Sequence, residues 1–218
     1  MTLSKHIIYE LKHVCLLVLG LLIMSASVAL AKIATLGTSP ISSVPNVLSM
    51  LVPLTIGQTT ILFMILIILL EWVVLRKDFG WMNLIQLLPS ILFGAMIDWF
   101  VNQFSFLQPS VYWEQMGLTL ISVVLLATGV FFEVNSRTLM MAGEGIAAAL
   151  AFRFKKPFGT IKVRVDISMV IAAVILSLVF AHGLIGVREG TVISALLTGR
   201  IVDWFEEHLT KFTKWVQN

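Results

Sequence analysis

Long apolar runs, separated by short polar segments, dominate the chain. A membrane-spanning helix needs about 20 apolar residues, because each residue adds 1.5 Å and the hydrocarbon core of a bilayer is about 30 Å thick. The pattern therefore predicts an all-α membrane protein with six transmembrane helices in a single membrane domain, 1–218. The six runs are 14–34, 57–75, 84–102, 116–136, 165–182 and 190–205.

Two further apolar segments are too short to cross a bilayer. The first, LGTSPISSVPNVLS, follows the first run and contains one glycine and two prolines. Ser39 and Thr38 suit a helix N-cap and Pro40 suits a first helical turn, so we predict a short helix from there to about Leu51. Non-helical backbone at membrane depth must be buried or line a wet cavity, which makes 37–40 a predicted re-entrant turn. The second segment, 142–154, carries Gly143-Glu144-Gly145 at the same place.

Composition supports a membrane protein and excludes several other classes. The chain is 58% hydrophobic and 12% charged, with a mean hydropathy of +0.97, whereas soluble domains average about 25% charged residues. A single cysteine excludes an intramolecular disulfide and a multi-cysteine metal site. Phosphate-binding and dinucleotide-binding motifs are absent, and the net charge of +3 is too small to indicate nucleic-acid binding. We therefore predict no cofactor and no enzymatic activity.

Basic residues predict the orientation in the membrane. Lysine and arginine concentrate in cytoplasmic loops of membrane proteins, and six crossings place every basic cluster on one side if both termini are cytoplasmic. The loop 103–115, on the opposite side, has no basic residue. The clusters are Lys5 and Lys12; Arg76 and Lys77; Arg153, Lys155, Lys156, Lys162 and Arg164; and Lys211 and Lys214.

An internal repeat appears at an offset of 105 residues. FGAMIDWF at 93–100 aligns with TGRIVDWF at 198–205, and the same offset pairs Lys32 with Arg137 without a gap. Repeat one is predicted over 14–102, repeat two over 116–205, and a cytoplasmic tail over 206–218. Three crossings per unit make the repeats inverted, an architecture that many secondary transporters use. A duplicated structural bundle without transport is the alternative.

Several segments resemble a known bacterial family. KIATLGTSPISSVPNVLS, GEGIAAALA, FGTIKVRVDIS and GVREGTVISALLTGRIV are similar to the YczE-like membrane proteins, which are loosely grouped with YitT and YyaS. The resemblance covers roughly 14–205 and implies a bacterial inner-membrane protein of largely uncharacterised function. In many relatives an aromatic residue and an aspartate follow the proline, but Ile41 and Ser42 stand here. No charged residue is assigned to that position.

Ionisable residues inside apolar runs are costly and face a bundle interior or cavity. Lys32, Arg137 and Arg200 would supply positive charge, while Glu133 and Arg137, spaced i,i+4, could form a pair. The alternative is that these charges lock helices together as ion pairs. Helix N-termini entering from both broken segments would form an electropositive centre. The predicted solute-binding residues are Lys32, Gly37, Thr38, Ser39, Pro40, Glu133, Arg137, Gly143, Glu144, Gly145, Asp166 and Arg200.

Taken together, these features predict a small secondary transporter or exporter of a small anionic or carboxylate-bearing solute. Glu133, Glu144 or Asp166 could exchange protons, so a proton or another ion is a candidate for coupling. The expected partners are the lipid bilayer, the solute and, to enclose a path, a second copy of the chain. A non-transporting membrane assembly or partner protein remains the alternative. An intramembrane enzyme lacks a recognisable nucleophile pair.

Two aspartates end the third and sixth runs in similar contexts. Asp98 follows Ser90 and Gly94, and Asp203 follows Ala195 and Gly199, each at four-residue spacing. Small residues at that spacing let helices approach closely. We therefore predict that both stripes pack against neighbouring helices, with a proton relay as the alternative.

Overall fold

The computed structural model describes residues 3–217, which form ten α-helices and no strand. The helices are α1 (Leu3–Ala34), α2 (Pro40–Leu51), α3 (Ile56–Leu75), α4 (Trp81–Ile85), α5 (Leu87–Gln103), α6 (Tyr112–Ser136), α7 (Ala142–Phe154), α8 (Phe158–Ala181), α9 (Glu189–His208) and α10 (Thr210–Gln217). Side chains outside the description are those of 3–10, 82, 158, 214, 215 and 217, so Lys5 and Lys214, used for the orientation, are not placed.

Five stretches of residues 3–217 are long and apolar enough to cross a membrane: Leu11–Ala34, Ile56–Asp78, Asn83–Gln103, Tyr112–Ser136 and Gly159–Ala181. The prediction of an all-helical, multi-pass membrane protein is confirmed. The sixth predicted span is not among the five. Its helix, α9, is 20 residues long but contains one arginine and four acidic residues, and that charge lowers its hydropathy.

Proline and capping residues explain several helix boundaries. Pro89 has no N–H, and its ring would clash with the carbonyl of Ile85, the residue four positions earlier. The chain accordingly breaks at Gln86, which separates α4 from α5. At the start of α3, the Thr55 hydroxyl accepts the Gln58 N–H and the Gln58 side chain accepts the Thr55 N–H. This capping box fixes the start of α3.

The long helices enclose the short helices α2 and α7. α1 packs along α6, α5 packs against α1 and α3, and α9 packs against α6. Helix α2 lies against α3 and α8, and α7 lies against the same two helices. The α1–α6 crossing depends on glycine, because a Cβ on Gly20 would lie 2.8 Å from the carbonyl oxygen of Gly129. Small residues allow this close approach.

The two small-residue stripes have different surroundings. A Cβ on Gly94 would lie 2.7 Å from the Gly57 carbonyl oxygen, so α3 and α5 pack closely as predicted. Asp98 then accepts the Gly57 N–H at 2.8 Å and the Thr55 hydroxyl. In α9, by contrast, Gly199 has no heavy atom within 4 Å of its would-be Cβ, and Asp203 is exposed. The packing prediction is confirmed for the first stripe and is wrong within the described chain for the second.

The predicted tail, 206–218, is not separate from the bundle in its described part. Helix α9 continues to His208, and α10 packs against α6. The ring of Phe212 lies 5.7 Å from those of Phe131 and Phe132, and the side chain of Val216 is buried. His13 of α1 contacts the carbonyl oxygens of Ser136 and Val216, which joins the ends of α1, α6 and α10.

Candidate functional site: a hydroxyl-lined cavity at two helix N-termini

A sharp turn leads from α1 into α2. Thr35 and Gly37 have φ values of 60° and 95°, and glycine tolerates such backbone far better than other residues do. Ser39 occupies the N-cap and Pro40 the first turn of α2, as predicted. The Ser39 side chain makes no capping hydrogen bond, however. Its hydroxyl is therefore available for another partner.

The N-terminus of α9 lies across this turn. The Gly190 N–H donates to the Leu36 carbonyl at 2.8 Å. A Cβ on Gly37 would lie 2.8 Å from the Arg188 backbone nitrogen and would collide with the Thr191 hydroxyl. The glycine at 37 is therefore required both by its φ and by this contact. The result is that the N-termini of α2 and α9 meet, although they belong to different predicted repeats.

A small cavity lies at this meeting point. About 10 Å³ is accessible to the centre of a water-sized sphere, which is roughly the room that one water molecule needs. None of its lining side chains is ionisable. Besides aliphatic residues and the backbone of Gly37 and Gly190, it is lined by the hydroxyl side chains of Ser27, Thr38, Ser39, Thr119, Ser122 and Ser194.

Three hydroxyls at the cavity lack a hydrogen-bond partner. Ser27, Thr119 and Ser122 donate to backbone carbonyls at 2.6–2.8 Å. Within the part of the chain that the structure describes, the side-chain oxygens of Thr38, Ser39 and the adjacent Thr191 have no hydrogen-bond partner, although these residues are only 1%, 5% and 0% exposed. Buried hydroxyls without partners cost free energy, about 1–3 kcal/mol each. Two unused donors therefore line the cavity, and a third lies next to it at the two helix N-termini.

The start of α7 is occupied differently. The Glu133 carboxylate accepts the Met141 N–H at 3.0 Å, immediately before α7, and Glu144 lies in the first turn. Gly145 packs against the Gln86 side chain, and Gly143 packs against the Ile41 side chain of α2. The N-termini of α2 and α7 are therefore neighbours, as predicted, but the Ile41 side chain fills the space between them. The helix end already has the chain's own carboxylates beside it.

Three predicted basic residues lie away from both helix starts. The Lys32 ammonium donates to the Ser49 hydroxyl at 3.1 Å, near the C-terminus of α2, where a cation is favourable. Arg200 and Arg137 are exposed. The predicted Glu133–Arg137 pair does not form, because α6 ends at Ser136 and Arg137 turns away with φ of 50°. No charge from these three residues reaches the cavity.

The predicted residues therefore fall into three groups. Gly37, Thr38 and Ser39 line the cavity, and Pro40 follows them as the first residue of α2. Five others cluster near the start of α7: Glu133, Gly143, Glu144, Gly145 and Asp166. Lys32, Arg137 and Arg200 join neither group. Sequence reasoning missed the cavity hydroxyls Ser27, Thr119, Ser122 and Ser194, and the adjacent hydroxyl of Thr191. Their signal was a serine or threonine inside an apolar run, which many helices also carry for packing.

The helices and their apolar surfaces define a multi-pass membrane protein built around two short internal helices. A family model matches residues 11–207, and the chain belongs to that family, DUF6198, a family of unknown function. No curated protein matches the chain. No solved structure matches it either. The resemblance to YczE-like proteins stays a prediction, because the matching family carries no such name.

Proposed function

We propose that the protein is a small secondary transporter of a small anion in the bacterial inner membrane, with six crossings and both termini cytoplasmic. The observation that carries the proposal is the buried cavity where Thr38 and Ser39 offer unpartnered hydroxyls beside the N-termini of α2 and α9, with the unpartnered hydroxyl of Thr191 next to the cavity at Gly37. Helix N-termini and hydroxyl donors together bind anions well. No enzymatic activity forms part of the proposal.

The packing supports two inverted repeats. Under the 105-residue offset, α1, α2, α3 and α5 correspond to α6, α7, α8 and α9. Helix α2 packs on α8 just as α7 packs on α3, and the α1–α5 contact has its counterpart in α6–α9. The offset also relates two residues that contact these helix starts. Thr191 of α9 lies against Gly37, just before α2, and its counterpart Gln86 lies against Gly145 in the first turn of α7. The α3–α5 contact has no counterpart of comparable size between α8 and α9, where Lys162 replaces Gly57 at the equivalent position.

The second helix start supports the anionic character of the solute. Val28 and Ser39 line the cavity, and their counterparts at the offset of 105 are Glu133 and Glu144. At the second helix start, a carboxylate oxygen of Glu133 accepts the backbone N–H of Met141 at 3.0 Å. Repeat one has no carboxylate at the equivalent positions, which are Val28 and Ser39. An external anion would take the place of that carboxylate.

Anion flux in proteoliposomes tests the proposal. Purified protein would be screened with chloride, bromide, nitrate, inorganic phosphate and acetate, with and without a pH gradient. The Thr191→Val variant should lower the apparent affinity by about tenfold to a hundredfold, since a hydrogen bond to a charged group contributes about 1.5–3 kcal/mol. Thr128→Val is the matched control, because the Thr128 hydroxyl is exposed and donates to its own helix. No flux above that of protein-free liposomes for any anion would contradict the proposal.

A second candidate function is a non-transporting membrane partner protein. The observation that favours it is the exposed face of α9, where Gly199, Arg200 and Asp203 have no neighbour in the described chain that covers them. Polar groups exposed to lipid are costly, so this face would gain from a covering helix. Cross-linking of a cysteine introduced at Gly199, with Cys15 removed, would capture such a neighbour. No cross-link in native membranes would argue against it.

A further inference from the structure

The ionisable side chains near the start of α7 are out of balance. Lys162 of α8 lies 2.6 Å from Asp166 and 3.8 Å from Glu144. Glu133 lies close enough to Glu144 and Lys162 for their charges to interact. The region therefore contains three carboxylates and one ammonium group, and only the carboxylates of Asp166 and Glu144 lie within 4 Å of the ammonium. If all were ionised, the cluster would hold two net negative charges inside an apolar bundle.

Glu133 is the member with the least compensation. It is only 4% exposed, and its Oε1 accepts one backbone N–H from Met141. Its Oε2 has no hydrogen-bond partner among the described residues. Glu144 has Lys162 nearby, and the side chains of Lys162 and Asp166 are each about one-quarter exposed. An ionised carboxylate without a cation or further donors is very unfavourable in such surroundings. A buried carboxylate relieves that cost by binding a proton.

Other titratable groups around Glu133 do not remove the imbalance. On α1, His13 contacts the Ser136 carbonyl, and on α9, Glu206 accepts from Asn135. On α3, Glu71 is bonded to Asn83 and Gln86. Arg137 is exposed and bonds nothing in the described chain. Among the side chains that the structure describes, Lys162 is the cation whose charge acts on the Glu133 carboxylate.

We propose that Glu133 carries an exchangeable proton on Oε2, and that Glu133 and Glu144 together form the proton site that drives anion uptake. The site is the counterpart of the anion cavity, since Val28 and Ser39 of that cavity match Glu133 and Glu144 at the offset of 105. The proton half of the proposal stands on the cluster alone. The coupling half rests on the proposed transport function.

Infrared spectroscopy of the reconstituted protein tests the proton site without any substrate. The wild type at neutral pH should show the C=O stretch of a protonated carboxylic acid, shifted after transfer to D₂O. Glu133→Gln should remove this band, and Glu133→Asp should move it. Glu114→Gln should leave it unchanged, because Glu114 lies on the same helix but is exposed.

The outcomes separate the two halves of the proposal. Absence of the band in wild type, its survival in Glu133→Gln, or an unmoved band in Glu133→Asp overturns the proton site. For coupling, each anion of the flux panel would be tested under a pH gradient. One proton per anion accumulates the anion up to about tenfold per pH unit. Glu133→Gln should abolish accumulation but keep anion exchange, whereas unchanged accumulation overturns coupling. A Glu133 band in a protein that moves no anion would overturn the transport function and leave the proton site standing.

Discussion

Replacing Gly37 by alanine tests the meeting of α2 and α9. With φ of 95°, the site strains any residue with a side chain, at a cost of about 1–3 kcal/mol. The new Cβ would also lie 2.8 Å from the Arg188 backbone nitrogen, which cannot rotate away. The start of α9 must move, weakening the Gly190–Leu36 hydrogen bond by about 0.5–1.5 kcal/mol. We expect the free energy of unfolding to fall by about 2–4 kcal/mol.

The assay is reversible unfolding of the purified protein in detergent micelles. Gly117→Ala is the matched control, because Gly117 lies within α6 and its would-be Cβ meets no atom within 4 Å. Alanine exceeds glycine in helix propensity, so the control should be neutral or more stable by up to about 1 kcal/mol. Equal stability of the two variants would refute the close approach of α9 to the turn.

Further predictions concern anchoring, charge and orientation. Asp98→Asn should destabilise the protein by about 1–2 kcal/mol because it weakens two hydrogen bonds at the start of α3, whereas Asp203→Asn, on the exposed face of α9, should change the melting temperature little. Lys32→Met should lower the melting temperature and leave anion affinity unchanged, since Lys32 bonds Ser49; Arg137→Met should affect neither, and a tenfold loss of affinity in either would restore these residues to the site. Reporter fusions should indicate the cytoplasm at Lys77 and Lys156 and the outside at Ser110, and a fusion at Lys156 on the outer side would contradict the inverted repeat.

Local signals in the sequence were enough to predict most helices. Ser39 and Pro40 mark the start of α2 because capping and a fixed φ act within one turn. The break at Gln86 follows from Pro89 by the same local reasoning. The apolar run 84–102 did not predict it, because the run continues through this break. The sixth span was harder, since its apolar run is interrupted by Arg200 and Asp203. A hydropathy pattern alone cannot show whether neighbouring helices shield such charges.

The candidate site was only partly predictable. The turn at Gly37 was found from its glycine and hydroxyls, but its partner was expected to be α7 and is α9. Which helix ends meet depends on packing between distant segments, and periodicity along one chain does not encode that. Lys32 illustrates the same limit, because its place near the end of α1 suggested that it binds the solute. The turn at Thr35 and Gly37 instead brings it beside Ser49.

The central claim is that an anion binds where the N-termini of α2 and α9 meet. A crystal structure of the protein grown with bromide, using anomalous scattering to locate the ion, tests it most directly. The account predicts a bromide ion within hydrogen-bonding distance of the Thr38, Ser39 and Thr191 hydroxyls, and none beside Met141, where Glu133 already accepts the backbone N–H. A bromide ion beside Met141 or Gly145, or an empty cavity at bromide concentrations that support flux, would contradict it.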